Sequence, residues 1–228
     1  VPHGGPHSCF LETFSELLIY QSLASIGHTL VLVNYTGSTG HGHTSIKNLV
    51  GKVGQLEIEE VHNVAVELKN EFNLKNCSIL GGSHGGFITA WLLGKYPDFY
   101  NLGILRNPVI NIGSMIENSD IPDWCFLETG FEYDFNKPPV LTPAFYEKMY
   151  NSSPMSVAES VKSPVLVLIG NNDRRVPPSQ GINWGYFLKS RGVNANIVTY
   201  KETGHALDNV LVEIKVFEEI LNFFKLHI

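Results

Sequence analysis

Cysteines, basic residues and long apolar runs are all scarce in this sequence, and each shortage excludes a class of protein. Its three cysteines, Cys9, Cys77 and Cys125, are odd in number and lack metal or redox spacing. That usage favours free thiols in a reducing compartment, so we expect a cytoplasmic protein. Lys and Arg total 16 against 22 acidic residues, for a net charge of −6. The basic residues are scattered, so neither a nucleic acid nor an anionic membrane is expected as a partner. No apolar run reaches the roughly 20 residues of a membrane-spanning helix.

Length and composition limit the domain count. The 228 residues, 43% of them apolar, are enough for one sizeable core but not for a second full domain. We therefore expect residues 1–228 to form one α/β domain. The sequence has no internal repeat or low-complexity tract.

Short apolar runs typical of buried strands alternate with helical patterns along the chain. The predicted strands are Thr29 to Asn34, Cys77 to Leu80, Leu102 to Leu105, Val165 to Ile169 and Asn196 to Tyr200. The predicted helices are Glu57 to Phe72, Phe87 to Leu93, Ser179 to Arg191 and Val210 to Leu226. This alternation predicts a mostly parallel, doubly wound α/β sheet.

The segment from about residue 113 to 160 interrupts the alternation of strands and helices and is rich in Pro, Asp, Asn and aromatic residues. It predicts a helical insertion, or lid, over the carboxyl ends of the strands.

Ser83 lies in the most informative motif of the chain, the G-x-S-x-G pattern of Gly81, Ser83 and Gly85. A predicted strand precedes this motif and a predicted helix follows it, which is the context of a nucleophile turn. Such a turn strains the backbone at the serine, and the neighbouring glycines leave room for it. We therefore predict Ser83 as a nucleophile.

An acid and a histidine follow in the chain order of an α/β-hydrolase. Asp173 comes directly after the strand that ends at Ile169, and His205 lies in the loop between the last strand and the last helix. His205 is the expected general base and Asp173 the expected acid that orients its imidazole. Asp208 and Glu202 remain alternatives for the acid.

The segment His3-Gly4-Gly5-Pro6 supplies a fourth part of the site. H-G-G segments donate a main-chain N–H to the oxyanion in esterases and related peptidases. Gly5 and His84, the residue after the nucleophile, are the expected donors. His41 and His43 form an H-x-H pair, but no third ligand follows nearby, so we expect neither a metal nor a cofactor.

Several blocks of the chain resemble the catalytic domain of the prolyl oligopeptidase family of serine peptidases. They are His3-Gly4-Gly5-Pro6, residues 34–42 (NYTGSTGHG), residues 81–87 (GGSHGGF) and residues 173–177 (DRRVP). Residues 106–112, residues 120–125 and Gly204-His205-Ala206-Leu207 are most similar to the acylaminoacyl-peptidase branch of that family. Thr36 departs from the pattern, since the family usually has arginine there.

The resemblance implies an α/β-hydrolase fold and roles for individual residues. Ser83, Asp173 and His205 match the family's catalytic triad, and Gly5 and His84 match its oxyanion donors. Arg175 matches an arginine that binds a substrate carbonyl, although an ion pair with a lid carboxylate is the open alternative. Trp124 and Phe126 are expected to wall the substrate's side-chain pocket, with core packing as the alternative. Family members carry a β-propeller and further strands before the H-G-G segment, so we expect this chain to be a fragment that lacks them.

By this resemblance, the reaction is the release of an N-acylamino acid from a short N-acylated peptide through an acyl-enzyme. A carboxylesterase or another oligopeptidase of the same family is the alternative enzyme, because a triad alone does not choose between ester and amide. A binding protein built on an inactive hydrolase fold is the alternative from another class. Homo-oligomerisation is left open by the sequence.

Overall fold

The computed structural model describes residues 1–13 and 18–227, and its centre is a parallel sheet of four strands within those ranges. The strands are β1 (Ser78–Gly82), β2 (Leu102–Arg106), β3 (Val165–Gly170) and β4 (Ala195–Tyr200). They lie side by side in chain order, with Ser78 paired to Leu102, Gly103 to Val165, and Val165 to Ala195. All three pairings are parallel, as the alternation of strands and helices predicts.

Helices cover both faces of the sheet. Adjacent strand residues point in opposite directions, so the apolar strands present apolar side chains on each face. Ile79 and Val167 lie in one hydrophobic core with residues of α3 (Leu56–Glu71), α4 (His84–Lys95) and α8 (Ser179–Ser190). Leu80 and Leu168 lie in the other, with residues of α1 (Leu18–Ser25) and α9 (Val210–His227). This arrangement is the doubly wound α/β fold that the sequence predicts.

A further helix, α2, spans His43–Leu49. None of the helices in the described ranges combines the length and apolar character needed to cross a bilayer.

The run from Thr29 to Asn34 was wrongly predicted as a strand. It forms only an isolated parallel bridge between Pro2 and Val33, with the Val33 N–H donating to the Val1 carbonyl at 3.0 Å. A strand needs a neighbour that offers a series of donors and acceptors. Here the adjacent backbone is Val1 and Pro2, and proline has no N–H to donate. The apolar residues of this run, Leu30 to Val33, are only half-buried and form no ladder.

Four short helical segments follow β2 where the sequence predicts an insertion. They are α5 (Ile112–Met115), α6 (Pro122–Glu128), α7 (Pro143–Asn151) and a 3₁₀ helix (Pro154–Ser160). Proline occupies one of the first two positions of each of the last three, where its missing N–H costs no helical hydrogen bond. The 3₁₀ helix packs against α4, and Ile110 accepts a hydrogen bond from the N–H of Met155. A lid role for residues 113–160 stays a prediction.

Candidate active site

Ser83 stands on the sharp turn between β1 and α4. Its φ of 58° lies in the left-handed region, which is uncommon for residues other than glycine and marks local strain. Hydrogen bonds on both sides hold the turn: the Ser83 N–H donates to the Arg106 carbonyl at 2.9 Å, and the Ser83 carbonyl accepts from Phe87 at 3.0 Å. The serine side chain is thereby fixed at the carboxyl end of the sheet.

Gly81 and Gly85 let the two elements of this turn approach closely. A Cβ atom on Gly81 would collide with the carbonyl group of Gly85, and one on Gly85 would collide with the carbonyl oxygen of Pro2. The glycines of the motif therefore serve β1–α4 packing and the close approach of the N-terminal segment.

Ser83, His205 and Asp173 form a continuous chain of hydrogen bonds. Nε2 of His205 lies 2.9 Å from Oγ of Ser83, and Nδ1 of His205 lies 2.6 Å from Oδ2 of Asp173. With the proton on Nδ1, the imidazole donates to the carboxylate and its free Nε2 accepts from the serine hydroxyl. This is the geometry that a general base requires before it can take the hydroxyl proton.

The carboxylate of Asp173 is held by its own loop after β3. Its Oδ1 accepts hydrogen bonds from the main-chain N–H groups of Arg175 and Val176, both at 2.9 Å. The side chain is fully buried, while that of His205 is 30% exposed. These donors satisfy the oxygen that does not face the imidazole. The structure therefore brings Asp173 to His205, rather than Asp208 or Glu202.

Asn107 holds the histidine loop, and sequence reasoning missed it. Its side-chain amide donates to the carbonyls of His205 and Gly204 at 2.8 and 3.3 Å, while its Oδ1 accepts from the N–H of Gly170 at 2.8 Å. Asn107 thus ties the end of β3 to the loop that carries the base. The signal in the sequence that could have identified Asn107 was an amide side chain directly after a predicted strand.

Of the two expected oxyanion donors, His84 follows Ser83 directly and Gly5 lines the same cleft. A Cβ placed on Gly4 would be 3.9 Å from Oγ of Ser83, so the H-G-G backbone runs beside the nucleophile. His84 is the first residue of α4, and its N–H therefore has no acceptor within the helix. The indole N–H of Trp124 donates to the Gly5 carbonyl at 3.2 Å, which links the H-G-G segment to α6.

His3 anchors the H-G-G segment through contacts with Tyr35 and Ser38. Its Nε2 lies 2.6 Å from Oγ of Ser38, and its ring stacks on Tyr35 with centroids 4.3 Å apart. The Tyr35 hydroxyl donates to the His3 carbonyl at 2.9 Å. Burial lowers the pKa of His3, so a neutral imidazole packs here.

A cleft of about 480 Å³ opens in front of Ser83. Its apolar wall is made by Val109, Met115, Ile121, Trp124 and Val176. Trp124 lines this cleft, and its role towards a substrate side chain stays a prediction. Phe126 is 2% exposed and packs among Phe131, Tyr133 and Phe145 in the core, which is the alternative stated for it.

Arg175 and Asp123 are the charged residues that line this cleft, together with the His205 ring. Nε of Arg175 donates to Oδ1 of Asp120 at 2.7 Å, so the ion pair foreseen as the alternative for Arg175 is formed. The bond uses Nε alone, which leaves the terminal nitrogens of the guanidinium for other acceptors.

The described part of the chain contains neither a cluster of metal-ligand side chains nor a disulfide. Across residues 1–13 and 18–227, no three His, Cys, Asp or Glu side chains are grouped so as to hold a metal ion. The three cysteines are free, and burial raises the pKa of Cys125 to about 12, so this thiol stays protonated.

Comparisons with known proteins agree with this geometry. The sequence profile of the prolyl oligopeptidase family matches residues 13–228. The acylamino-acid-releasing enzyme of Mus musculus is 41% identical over an alignment of 230 positions, which covers 100% of this chain and 31% of that protein. The chain thus spans less than a third of such relatives.

Solved structures of similar fold include two acylaminoacyl peptidases. The Pyrococcus horikoshii enzyme superimposes with a TM-score of 0.86 at 25% identity, covering 98% of this chain and 36% of that one. An acylaminoacyl peptidase in complex with Z-Gly-Gly-Phe-chloromethyl ketone gives a TM-score of 0.85, also at 25% identity, with coverage of 98% and 36%.

Proposed function

The chain belongs to the prolyl oligopeptidase family, and on that premise we propose that it catalyses the release of N-acylamino acids from short N-acylated peptides. The observation that carries the proposal is the hydrogen-bonded chain Ser83–His205–Asp173 at the base of a cleft that also presents Arg175. The similarity of the whole chain to acylamino-acid-releasing enzymes supports the choice of substrate.

In acylation, Oγ of Ser83 attacks the carbonyl carbon of the peptide bond, and Nε2 of His205 takes the hydroxyl proton. Asp173 fixes the imidazole tautomer and stabilises the imidazolium that forms. The main-chain N–H groups of Gly5 and His84 stabilise the negative charge on the carbonyl oxygen. His205 then passes its proton to the leaving amine, and a water molecule repeats the sequence to free Ser83.

Arg175 is assigned to the substrate's acyl end. Its terminal nitrogens are donors with a fixed planar geometry, suited to a carbonyl oxygen. A blocked N-terminus brings such a carbonyl, whereas a free one brings an ammonium of the same charge as the guanidinium. The apolar wall around Trp124 is assigned to the substrate's side chain. We further propose that the segment 113–160 acts as a lid on this cleft, since Trp124 and Ile121 belong to it.

A second candidate is a peptidase of the same family that accepts free N-termini. The observation in its favour is the presence of two carboxylates: Asp120 pairs with Arg175, and Asp123 lines the same cleft. An ammonium group could pair with either one.

We also propose that the protein is cytoplasmic. Support comes from the free state of Cys9, Cys77 and Cys125, which suits a reducing compartment.

Fluorophosphonate labelling tests the nucleophile directly. The intact protein is labelled and then digested, and mass spectrometry of the peptides should map the adduct to Ser83. Labelling should disappear in Ser83→Ala and His205→Ala. Turnover should fall on the order of 10⁶-fold in either variant, because these residues act as a unit. Asp173→Asn should cost roughly 10⁴-fold through the wrong imidazole tautomer. Asp208→Asn is the matched control, with activity near that of the wild type. Labelling of another serine would remove Ser83 from this role.

Substrate class is tested by comparing acetyl-Ala with Ala on one chromogenic leaving group. The blocked substrate should have roughly 10- to 100-fold higher kcat/KM, since like charges about 5 Å apart repel by ~3 kcal/mol before screening and rearrangement. Arg175→Ala should shrink the ratio. Equal or better turnover of the free amine would favour the second candidate.

A further inference from the structure

We propose that Glu57 is a positioning residue that holds His84 so that its main-chain N–H faces the oxyanion. The proposal rests on the serine-hydrolase mechanism proposed above, but it is independent of the choice between acylated and free peptides.

The His84 side chain is locked inside the protein directly behind the nucleophile. It is fully buried, its ring stacks on Phe87 with centroids 4.8 Å apart, and it meets the ring of Trp124 in a T-shaped contact with centroids 6.0 Å apart. Close packing restricts the rotamers that such a ring can adopt. A shift of the ring would therefore move the backbone of His84, which carries the N–H assigned to the oxyanion.

Glu57 is the acidic group that faces this ring. It lies in the first turn of α3, is fully buried, and has Oε1 3.4 Å from Nε2 of His84. The same oxygen accepts the N–H of Gly54 at 2.7 Å. Glu57 thus connects His84 to the loop before α3 and to that helix's N-terminus, where a negative charge is favourable.

Stability alone is a weak explanation for this buried pair. Among the described residues, Oε2 of Glu57 and both ring nitrogens of His84 have no hydrogen-bond partner that meets geometric criteria. Buried ionisable groups with incomplete partners are costly, and apolar residues of similar volume are often at least as stable. The pair stands immediately behind Ser83, which points to a role in the site.

Tyr35 connects the same cluster to the other oxyanion donor. Its ring lies 6.2 Å from that of His84, and its hydroxyl donates to the His3 carbonyl. Burial, reinforced by the negative charge of Glu57, raises the pKa of Tyr35, so the hydroxyl keeps its proton as a donor. The cluster of Glu57, His84 and Tyr35 therefore contacts both segments that supply oxyanion N–H groups.

The test compares Glu57→Gln with the wild type and with Glu60→Gln in the intact protein. Glu60 lies one turn further along α3 and hydrogen-bonds Thr36 through both carboxylate oxygens, so it is a matched control with no assigned role in the site. Fluorophosphonate titration counts the folded sites, and all rates are expressed per site. Glu57→Asp, which keeps the charge on a shorter side chain, is the second variant.

Two ligands separate positioning from general damage. A peptide aldehyde adds Ser83 Oγ to its carbonyl carbon while the serine proton passes to His205, so its oxygen occupies the oxyanion position. N-Acetylalanine binds the same cleft without forming a tetrahedral centre. Glu57→Gln should lower kcat and aldehyde affinity together by roughly 10- to 100-fold, since small misplacements and weakened donors cost this much. KM and acetylalanine affinity should change less than about threefold, and Glu57→Asp should show a smaller loss.

Three results would overturn the inference: wild-type kcat and aldehyde affinity in folded Glu57→Gln, an equal loss in Glu60→Gln, or parallel loss of aldehyde and acetylalanine binding. Failure of both Glu57 variants to fold would assign the pair to folding and overturn it as well. If the wild type labels at Ser83 but does not cleave acetyl-Ala substrates, the proposed substrate class alone fails. The labelling rate of Glu57→Gln then carries the test, with a roughly tenfold drop expected.

Discussion

At the scale of single residues, the proposed preference for a blocked N-terminus depends on the charge beside Arg175. Asp120 pairs with Nε of Arg175, and the two side chains are 46% and 49% exposed. Exposed pairs contribute little to stability, but their charges still act on a ligand in the adjoining cleft. Asp120 attracts the ammonium that Arg175 repels. On the proposed function, we therefore expect the pair to moderate the preference for a blocked substrate.

Asp120→Asn should sharpen that preference. The kcat/KM ratio of acetyl-Ala over Ala substrates should rise about two- to fivefold, which matches the energy of an exposed charge interaction. The measurement is made at fixed pH and low salt, because salt screens the effect. Asp98→Asn, which breaks the exposed ion pair of Asp98 with Lys162, should leave the ratio unchanged. A ratio that falls in Asp120→Asn would mean that Asp120 chiefly orients the guanidinium.

At the scale of elements, the contact between β1 and α4 sets the position of the nucleophile. The strand enters the turn through Gly81 and Gly82, but the two glycines have different surroundings. A Cβ on Gly81 would meet the backbone of Gly85, whereas a Cβ on Gly82 would lie 3.6 Å from Arg106 atoms, an ordinary contact. One glycine is required by packing and the other is not.

Gly81→Ala should therefore destabilise the protein, while Gly82→Ala serves as its matched control. Overpacking of this kind costs about 1–3 kcal/mol, and backbone atoms cannot turn aside as a side chain would. Gly82→Ala should stay within about 0.5 kcal/mol of the wild type. Urea unfolding measures both, and fluorophosphonate labelling shows whether Ser83 is displaced. Equal stability of the two variants would contradict the close-approach argument.

At the scale of the whole molecule, His7 connects the H-G-G segment to α6. Its Nε2 lies 3.0 Å from Oε1 of Glu128, and its Nδ1 lies 2.8 Å from the Gly37 carbonyl. When protonated, the ring can donate to both acceptors. The hydrogen bond to Glu128, followed by that to Gly37, raises the pKa of His7 above its ordinary value of 6.5 despite partial burial.

This shift gives the connection a defined pH dependence. Because the folded pKa is raised, the stabilisation is fully present below about pH 6.5 and is lost as pH rises through the folded pKa. A double-mutant cycle with His7→Gln and Glu128→Gln, followed by urea unfolding, should find coupling at pH 5.5 that fades by pH 9. A hydrogen bond to a charged group typically contributes about 1.5–3 kcal/mol, which bounds the effect. Coupling that grows with pH would contradict the assignment.

Local pattern was sufficient for the parallel pairing of the strands and for the nucleophile turn. The alternation of apolar strands with amphipathic helices indicates parallel pairing. The glycines around Ser83 indicate a sharp turn from a strand to a helix. Four of the five predicted strands lie within two residues of β1 to β4. Thr29 to Asn34 is the exception, because an apolar run is compatible with burial whether or not a neighbouring strand pairs with it.

The sequence by itself determined which residue types could do chemistry and in what order they occur along the chain: Ser83, Asp173 and His205, each directly after a strand or in the loop that follows one. Only the tertiary structure decided which groups meet. Asn107 reaches the loop of His205, Trp124 bonds to Gly5 while Phe126 packs in the core, and Glu57 faces His84. The physical reason is that periodicity and turn chemistry act over a few neighbouring residues, whereas these contacts join residues far apart in the chain and depend on how whole elements pack.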